Sequence, residues 1–120
     1  MAFSPVEQAL LRDTKVTADK NPNYDTEPGN DTEDKVYLLS VEEAVKYFAT
    51  DDDRICQPTQ LALKNGATHA NGGSGWWWLR SPGSDQRLAA SIHYDGSVFY
   101  GGNFVEAESL VIRPVIVVAA

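Results

Sequence analysis

A single cysteine, Cys56, occurs in the chain, so no internal disulfide framework and no multi-cysteine metal cluster can form. Long hydrophobic runs are missing as well. The longest apolar stretch, residues 115–120, falls far short of the roughly 20 residues that cross a bilayer. The start at Met1 lacks the positively charged segment and apolar run of a secretory signal. No Lys/Arg-rich run is present, and 17 acidic residues against 10 basic ones give a formal charge of −7. That balance argues against nucleic acid or an anionic membrane as the main partner. His69 and His93 lie far apart and have no cysteine partners, which argues against zinc. No internal repeat is visible.

What remains is ordinary for one folded domain: 120 residues, 42% of them hydrophobic, enough to bury one core. The charge is placed unevenly. Residues 1–60 hold 13 acids and 6 bases, a net of −7, whereas residues 61–120 hold 4 of each. Eight of the nine glycines and all three tryptophans follow residue 60. The chain therefore reads as an acidic, helix-bearing front and, after residue 60, a neutral, aromatic, glycine-punctuated back, with a helical scaffold half over 1–70 and a β-rich display half over 71–120.

Helix signals come first. Ser4, Pro5 and Glu7 make a capping box with proline at the first helical position, and Val6, Leu10 and Leu11 supply an apolar stripe. A long polar loop follows over residues 19–31, of a length that is functional, metal-bound or loose. Lys35 to Leu39 is a short strand. Ser40 to Glu43 is a second capping box, opening a helix in which Val41, Ala44, Val45 and Phe48 recur at helical spacing. Asp51 to Arg54 reads as a solvated exit. Pro58 starts a third short helix, stopped by Asn65 and Gly66.

After a glycine-rich spacer (71–75) the pattern becomes extended. Trp76 to Leu79 forms a strand ending at Pro82 and Gly83. Residues 88–94 and 97–101 flank Asp95 and Gly96, a hairpin signal. A turn of Tyr94, Asp95 and left-handed Gly96 pairs Ile92 with Val98, and it is preferred because both then reach one core. Residues 110–118 close the sheet, interrupted at Pro114. The fold class is α+β: two or three N-terminal helices, then an antiparallel β meander.

Few residues point to catalysis. Cys56 has only His69 as a distant base and no glycine elbow, so a small core residue is the simpler assignment. Ser81 reads as part of a strand-ending turn. Asp25, Glu27, Asp31 and Asp34 could converge on calcium, but their spacing departs from the EF-hand loop, and a polar surface loop accounts for them better. Strand alternation puts Trp76 and Trp78 on one face and Trp77 and Leu79 on the other. Trp77 and Trp78 are assigned to the core, while Trp76 suits either the core or a ligand. The densest anomaly is residues 91–104. Ile92, Val98 and Tyr100 supply a core there, leaving His93, Tyr94, Phe99, Asn103 and Phe104 for adaptable contacts or for ordinary strand-face packing.

These segments carry a resemblance. Residues 34–48, then Trp77 to Gly83, Ala89 and Ala90, Asp95 to Val98 and Val111 to Pro114 occur in the order of a "WWLRSPG…AA…DG…VRP" signature. The chain resembles, over nearly its whole length, a bacterial and phage domain of unknown function. That resemblance implies a C-type-lectin-like fold, as in the variable proteins of diversity-generating retroelements. It also implies that the single domain, 1–120, is trimmed at its N-terminus.

The fixed scaffold positions would be Trp77, Trp78, Leu79, Arg80, Pro82, Gly83, Gly96, Arg113 and Pro114. The ligand-contacting positions would be Ser91, His93, Tyr94, Phe99, Tyr100, Asn103 and Phe104, with Trp76 beside them. Val111 and Ile112 depart from the Gly-Val that usually precedes Arg-Pro. Formylglycine-generating enzymes share a related fold but need C-terminal cysteine chemistry, and residues 57–120 contain no cysteine.

The expectation is a non-enzymatic display domain for a protein or surface glycan, without metal, cofactor, nucleic acid or membrane insertion. A sugar-binding module built on Trp76 and the tyrosines, or a structural module of a phage or cell-surface protein, are the alternatives. Arg80 and Arg113 are expected to pair with carboxylates of the front half.

Overall fold

A computed structural model describes residues 4–70 and 73–118; Asn71 and Gly72 of the expected spacer lie outside them. The fold is α+β. Short helices α1 (Pro5–Leu10), α2 (Val41–Tyr47) and α3 (Gln60–Lys64) accompany β1 (Thr14–Val16), β2 (Thr32–Asp34), β3 (Val36–Tyr37), β4 (Trp77–Pro82), β5 (Leu88–Ile92), β6 (Val98–Phe104) and β7 (Val115–Ile116). Both capping boxes form, at Ser4 with Glu7 and at Ser40 with Glu43. The third helix starts later than expected, because Thr59 and not Pro58 supplies the N-cap oxygen, to the Ala62 amide.

The front half is less helical than its sequence suggests. β1 and β2 pair antiparallel across the polar loop, with Lys15 opposite Glu33. β3 pairs with β7 at the other end of the chain. The periodic stripe of α1 is not core, since Val6 and Leu10 are exposed; the adjoining residues join the C-terminal segment through Leu11 opposite Val118. Here helical periodicity reported a helix correctly but not what covers it.

The meander β4-β5-β6 is antiparallel. Its inner face carries Trp77, Leu79, Ala90 and Ile92, packed on Leu39, Val41 and Ala44. Trp77 is fully buried. An indole hides about 150–250 Å², worth roughly 4–6 kcal/mol as an upper bound, and its Nε1–H donates to the Arg54 carbonyl at 2.9 Å. The Ser81 hydroxyl, also buried, accepts from the Val41 amide at 2.9 Å and joins β4 to the start of α2.

The hairpin register is the one expected, with Ile92 opposite Val98 and Gly96 at φ +84°. A Cβ on Gly96 would lie 1.7 Å from the Asp51 carbonyl oxygen, so both the backbone conformation and the space require glycine. The closing segment is interrupted as Pro114 demands. Val111 bridges Trp77 in parallel and only Val115–Ile116 forms a strand. Val111 needs no left-handed conformation, because every described residue with positive φ is glycine.

Candidate display surface

Cross-strand pairing builds the outer face of the meander. Trp78 and Phe99 both lie opposite Ser91, so the face away from the core is aromatic on both flanks of β5. One step toward the tip, His93 stands between two rings. Its centroid is 5.5 Å from Trp76 and 4.7 Å from Phe99. This stack of three rings half-buries His93 and Trp76, while Phe99 stays 36% exposed. At the tip Tyr94 is 46% exposed, and at the far end of β6 Phe104 is 50% exposed. The Arg87 guanidinium lies 5.8 Å from the Phe104 ring centroid.

Two expected contact residues do not belong to this surface as free groups. Ser91 is fully buried, enclosed by its neighbours, and its hydroxyl donates to Asn103 Oδ1 at 2.6 Å. It orients Asn103 and cannot itself meet a ligand. Tyr100 packs against the core cluster on the opposite side of β6 from Phe99. Alternation from Phe99 puts Tyr100 there, and a bulge follows it: between Ser91 opposite Phe99 and Ala89 opposite Asn103, β6 accommodates extra residues. Gly102, at φ +82°, makes the bulge feasible, because a Cβ there would lie 2.3 Å from the Ala89 carbonyl oxygen. Trp78 is half-buried on the outer face, a correction to its assignment as core.

The surface is held from behind by residues whose sequence context looked bland. Arg54, expected in a solvated exit, is buried. Its Nε donates to the Gly96 carbonyl at 2.8 Å and its Nη1 to the Phe48 carbonyl at 2.6 Å, while Nη2 pairs with Asp51. The tip of the hairpin is thus fastened to the acidic turn Asp52–Arg54. From the polar loop, buried Asn21 donates through Nδ2 to Tyr100 O at 2.7 Å and Pro82 O at 3.0 Å. Thr26 donates to Gly83 O at 2.6 Å. The loop is therefore a structural strap, and it brings exposed Tyr24 beside Phe99, the two flanking Gly101. The Asx residues of the loop were the available signal for such a strap; the partner carbonyls, some 60–80 residues away, were not readable.

Arg80 behaves as expected: it pairs with Asp19 at 3.2 Å and with Glu43, and donates to the Leu38 carbonyl at 2.8 Å. Burial of the Asp19 carboxyl opposes its ionisation. Hydrogen bonds from Thr17 and Ser40, helped by the Arg80 charge, outweigh that cost and hold it below the usual carboxylate range. Arg113 departs from expectation. Among the described residues it meets no carboxylate, and its guanidinium lies 4.8 Å from the Trp77 ring and 5.1 Å from Phe48.

The catalytic and metal candidates do not assemble. Gly75 lies between Cys56 and His69, bridging each through its backbone, which puts those two segments about 10 Å apart. In the polar loop Asp25 pairs with Lys20 and Asp31 with Lys15. Among the described residues no group of three or more His, Cys, Asp or Glu is placed to hold a metal ion.

A family model described as "Domain of unknown function (DUF6273)" matches residues 1–120. The chain belongs to this family. Comparison with curated proteins and with solved structures gave no match. The DUF6273 domain thus comes with its outer aromatic face, and the internal fastenings behind it, as the main guide to function.

Proposed function

We propose that this DUF6273 domain is a non-enzymatic display domain that binds a protein or surface glycan through the outer face of β5 and β6. The scaffold would be C-type-lectin-like, and the chain would act as the variable protein of a diversity-generating retroelement. The observation that carries the reading is the Trp76–His93–Phe99 cluster, with exposed Tyr94 at the adjoining hairpin tip; Phe104 lies at the far end of β6 opposite Leu88, on the core-side row. Three aromatic residues left partly or fully open on a strand pair are more than this small core needs. They sit on a hairpin whose tip is clamped by Arg54, the arrangement of rigid anchors on a fixed support that keeps the ordering cost of binding low.

The reading separates two classes of position. Substitutions at Tyr94, Phe99 and Phe104 should leave folding nearly unchanged, within about 1 kcal/mol, while at Asn103 only residues that still accept from the buried Ser91 hydroxyl should be as mild. Substitutions at Trp77, Leu79, Arg80 and Ser81 should abolish folding. A substitution scan read by protease resistance measures this contrast. Natural copies of the gene should differ chiefly at the first class together with Trp76 and His93. If His93, Phe99 and Phe104 prove as intolerant as Trp77, the aromatic face is packing for a structural module and the display reading fails. Glycan-array binding that survives Phe99→Ala and Phe104→Ala but is lost in Trp76→Ala would assign the face to a sugar-binding module.

A further inference from the structure

On the core side of β4, away from the outer aromatic face, α3 and the segment before it flank residues 108–114 across a cavity of about 520 Å³. That size lies in the ordinary range for small-molecule sites. Cys56, Ala62, Leu110 and Val111 give it an apolar wall, and Glu108 and Arg113 add charge. Arg113 is the unusual member. Arg54, Arg80 and Arg87 each pair with a carboxylate, whereas Arg113 meets neither a carboxylate nor a hydrogen-bond acceptor among the described residues. Its guanidinium lies 4.8 Å from the Trp77 ring and 5.1 Å from Phe48. These rings stabilise the cation but do not replace the acceptors that a guanidinium can take. Its Nη1 is buried without a partner, so the charge is incompletely solvated, and a desolvated charge left unpaired is costly. An anion beside it would gain more than it could in water.

We propose that this cavity binds a small organic monocarboxylate. The ligand's carboxylate would accept from the Arg113 guanidinium, and its apolar body would lie along Ala62, Leu110 and Val111. A phosphate or a dicarboxylate fits less well, because exposed Glu108 belongs to the same lining and repels added negative charge. A cation gains little from Glu108, which stays in water, and is opposed by Arg113. The site is separate from the outer face and does not depend on the display reading.

Hexanoate and its neutral analogue hexanamide are the probes, each titrated into the whole domain and followed by NMR of the backbone amides and arginine Nε–Hε groups. Hexanoate should shift the Ala62 and Val111 amides and the Arg113 Nε–Hε signal together and to saturation. Hexanamide should bind roughly tenfold or more weakly. Glu108→Gln, at an exposed position, should tighten hexanoate about twofold and leave hexanamide unchanged. Equal affinity for the two probes overturns the proposal, since the cavity is then merely apolar. A hexanoate response that never saturates, or that spreads equally to Lys15, Lys35 and Arg87, overturns it as well, because it marks general attraction to basic groups. Hexylammonium that binds more tightly than hexanoate and is weakened by Glu108→Gln would assign the cavity to cations instead.

Discussion

Replacing Arg54 by alanine removes the clamp beneath the hairpin, and its cost can be worked from the bonds. The Gly96 carbonyl loses a charged donor at 2.8 Å inside the protein, and a bond of this kind contributes about 1.5–3 kcal/mol. The Phe48 carbonyl loses another at 2.6 Å but is only partly buried, so water recovers part of that loss. The pair with Asp51, whose carboxylate is 61% exposed, adds only about 0.2–1 kcal/mol. Together these give roughly 3–5 kcal/mol, a large share of the 5–15 kcal/mol available to a domain. For a chain of this size that lowers Tm by about 10–20 °C.

Urea unfolding at neutral pH measures the difference. Arg54→Lys serves as the second variant, since it keeps the charge but not the planar fork and should recover less than half of the loss. Amide exchange adds a local readout: the His93–Ser97 and Gly96–His93 backbone bonds should lose protection before those of β4. A loss below about 1 kcal/mol in Arg54→Ala, or exchange at the tip that does not change, would refute the clamp.

The other consequences are simpler to state. Gly96→Ala meets both a left-handed φ and the Asp51 carbonyl, so it should cost more than the roughly 1 kcal/mol of the conformation alone; a thermal melt at or above the parent's would contradict this. Asn21→Ala leaves the Pro82 and Tyr100 carbonyls without their donor and should cost about 2–3 kcal/mol, with faster proteolysis within residues 19–31 as its signature. Asp19, depressed in the folded state, lends stability that is full above its unfolded pKa of about 3.9 and fades as pH falls through its lower folded value. Asp19→Asn should therefore be less stable at neutral pH and show a shallower acid transition, and an unchanged acid limb would remove Asp19 from that role.

Local chemistry was legible wherever one short segment decides the outcome. Both capping boxes, the Asn65–Gly66 stop and the three-residue turn at Gly96 depend on residues within a few positions, and each formed as its sequence indicates. The alternation in β4 correctly put Trp77 and Leu79 on one face, which is the buried one, although Trp78, assigned to the core, lies on the other. Long-range pairings were not legible. β1 with β2, β3 with β7, and the Asn21 strap each join segments with no mutual pattern in the sequence. Of the candidate site, His93, Phe99 and Trp76 came together, while Ser91 is enclosed by its outer-face neighbours and Tyr100 faces the core, as alternation from Phe99 requires. The bulge beyond Tyr100 was not legible by period-two counting, and Gly101 with Gly102 was its hint. Arg54 was misjudged because three neighbouring aspartates suggest solvent, although a guanidinium has five donors to spend on buried carbonyls.

The bulge in β6 also has a combinatorial consequence. Phe99 and Asn103, four positions apart in sequence, converge on Ser91, whereas Tyr100 between them belongs to the interior. Any process that rewrites this strand, by evolution or by library, must treat 99 and 103 as neighbouring letters of one word. Positions 100–102 act as its spelling rule: altering them would shift which letters face outward.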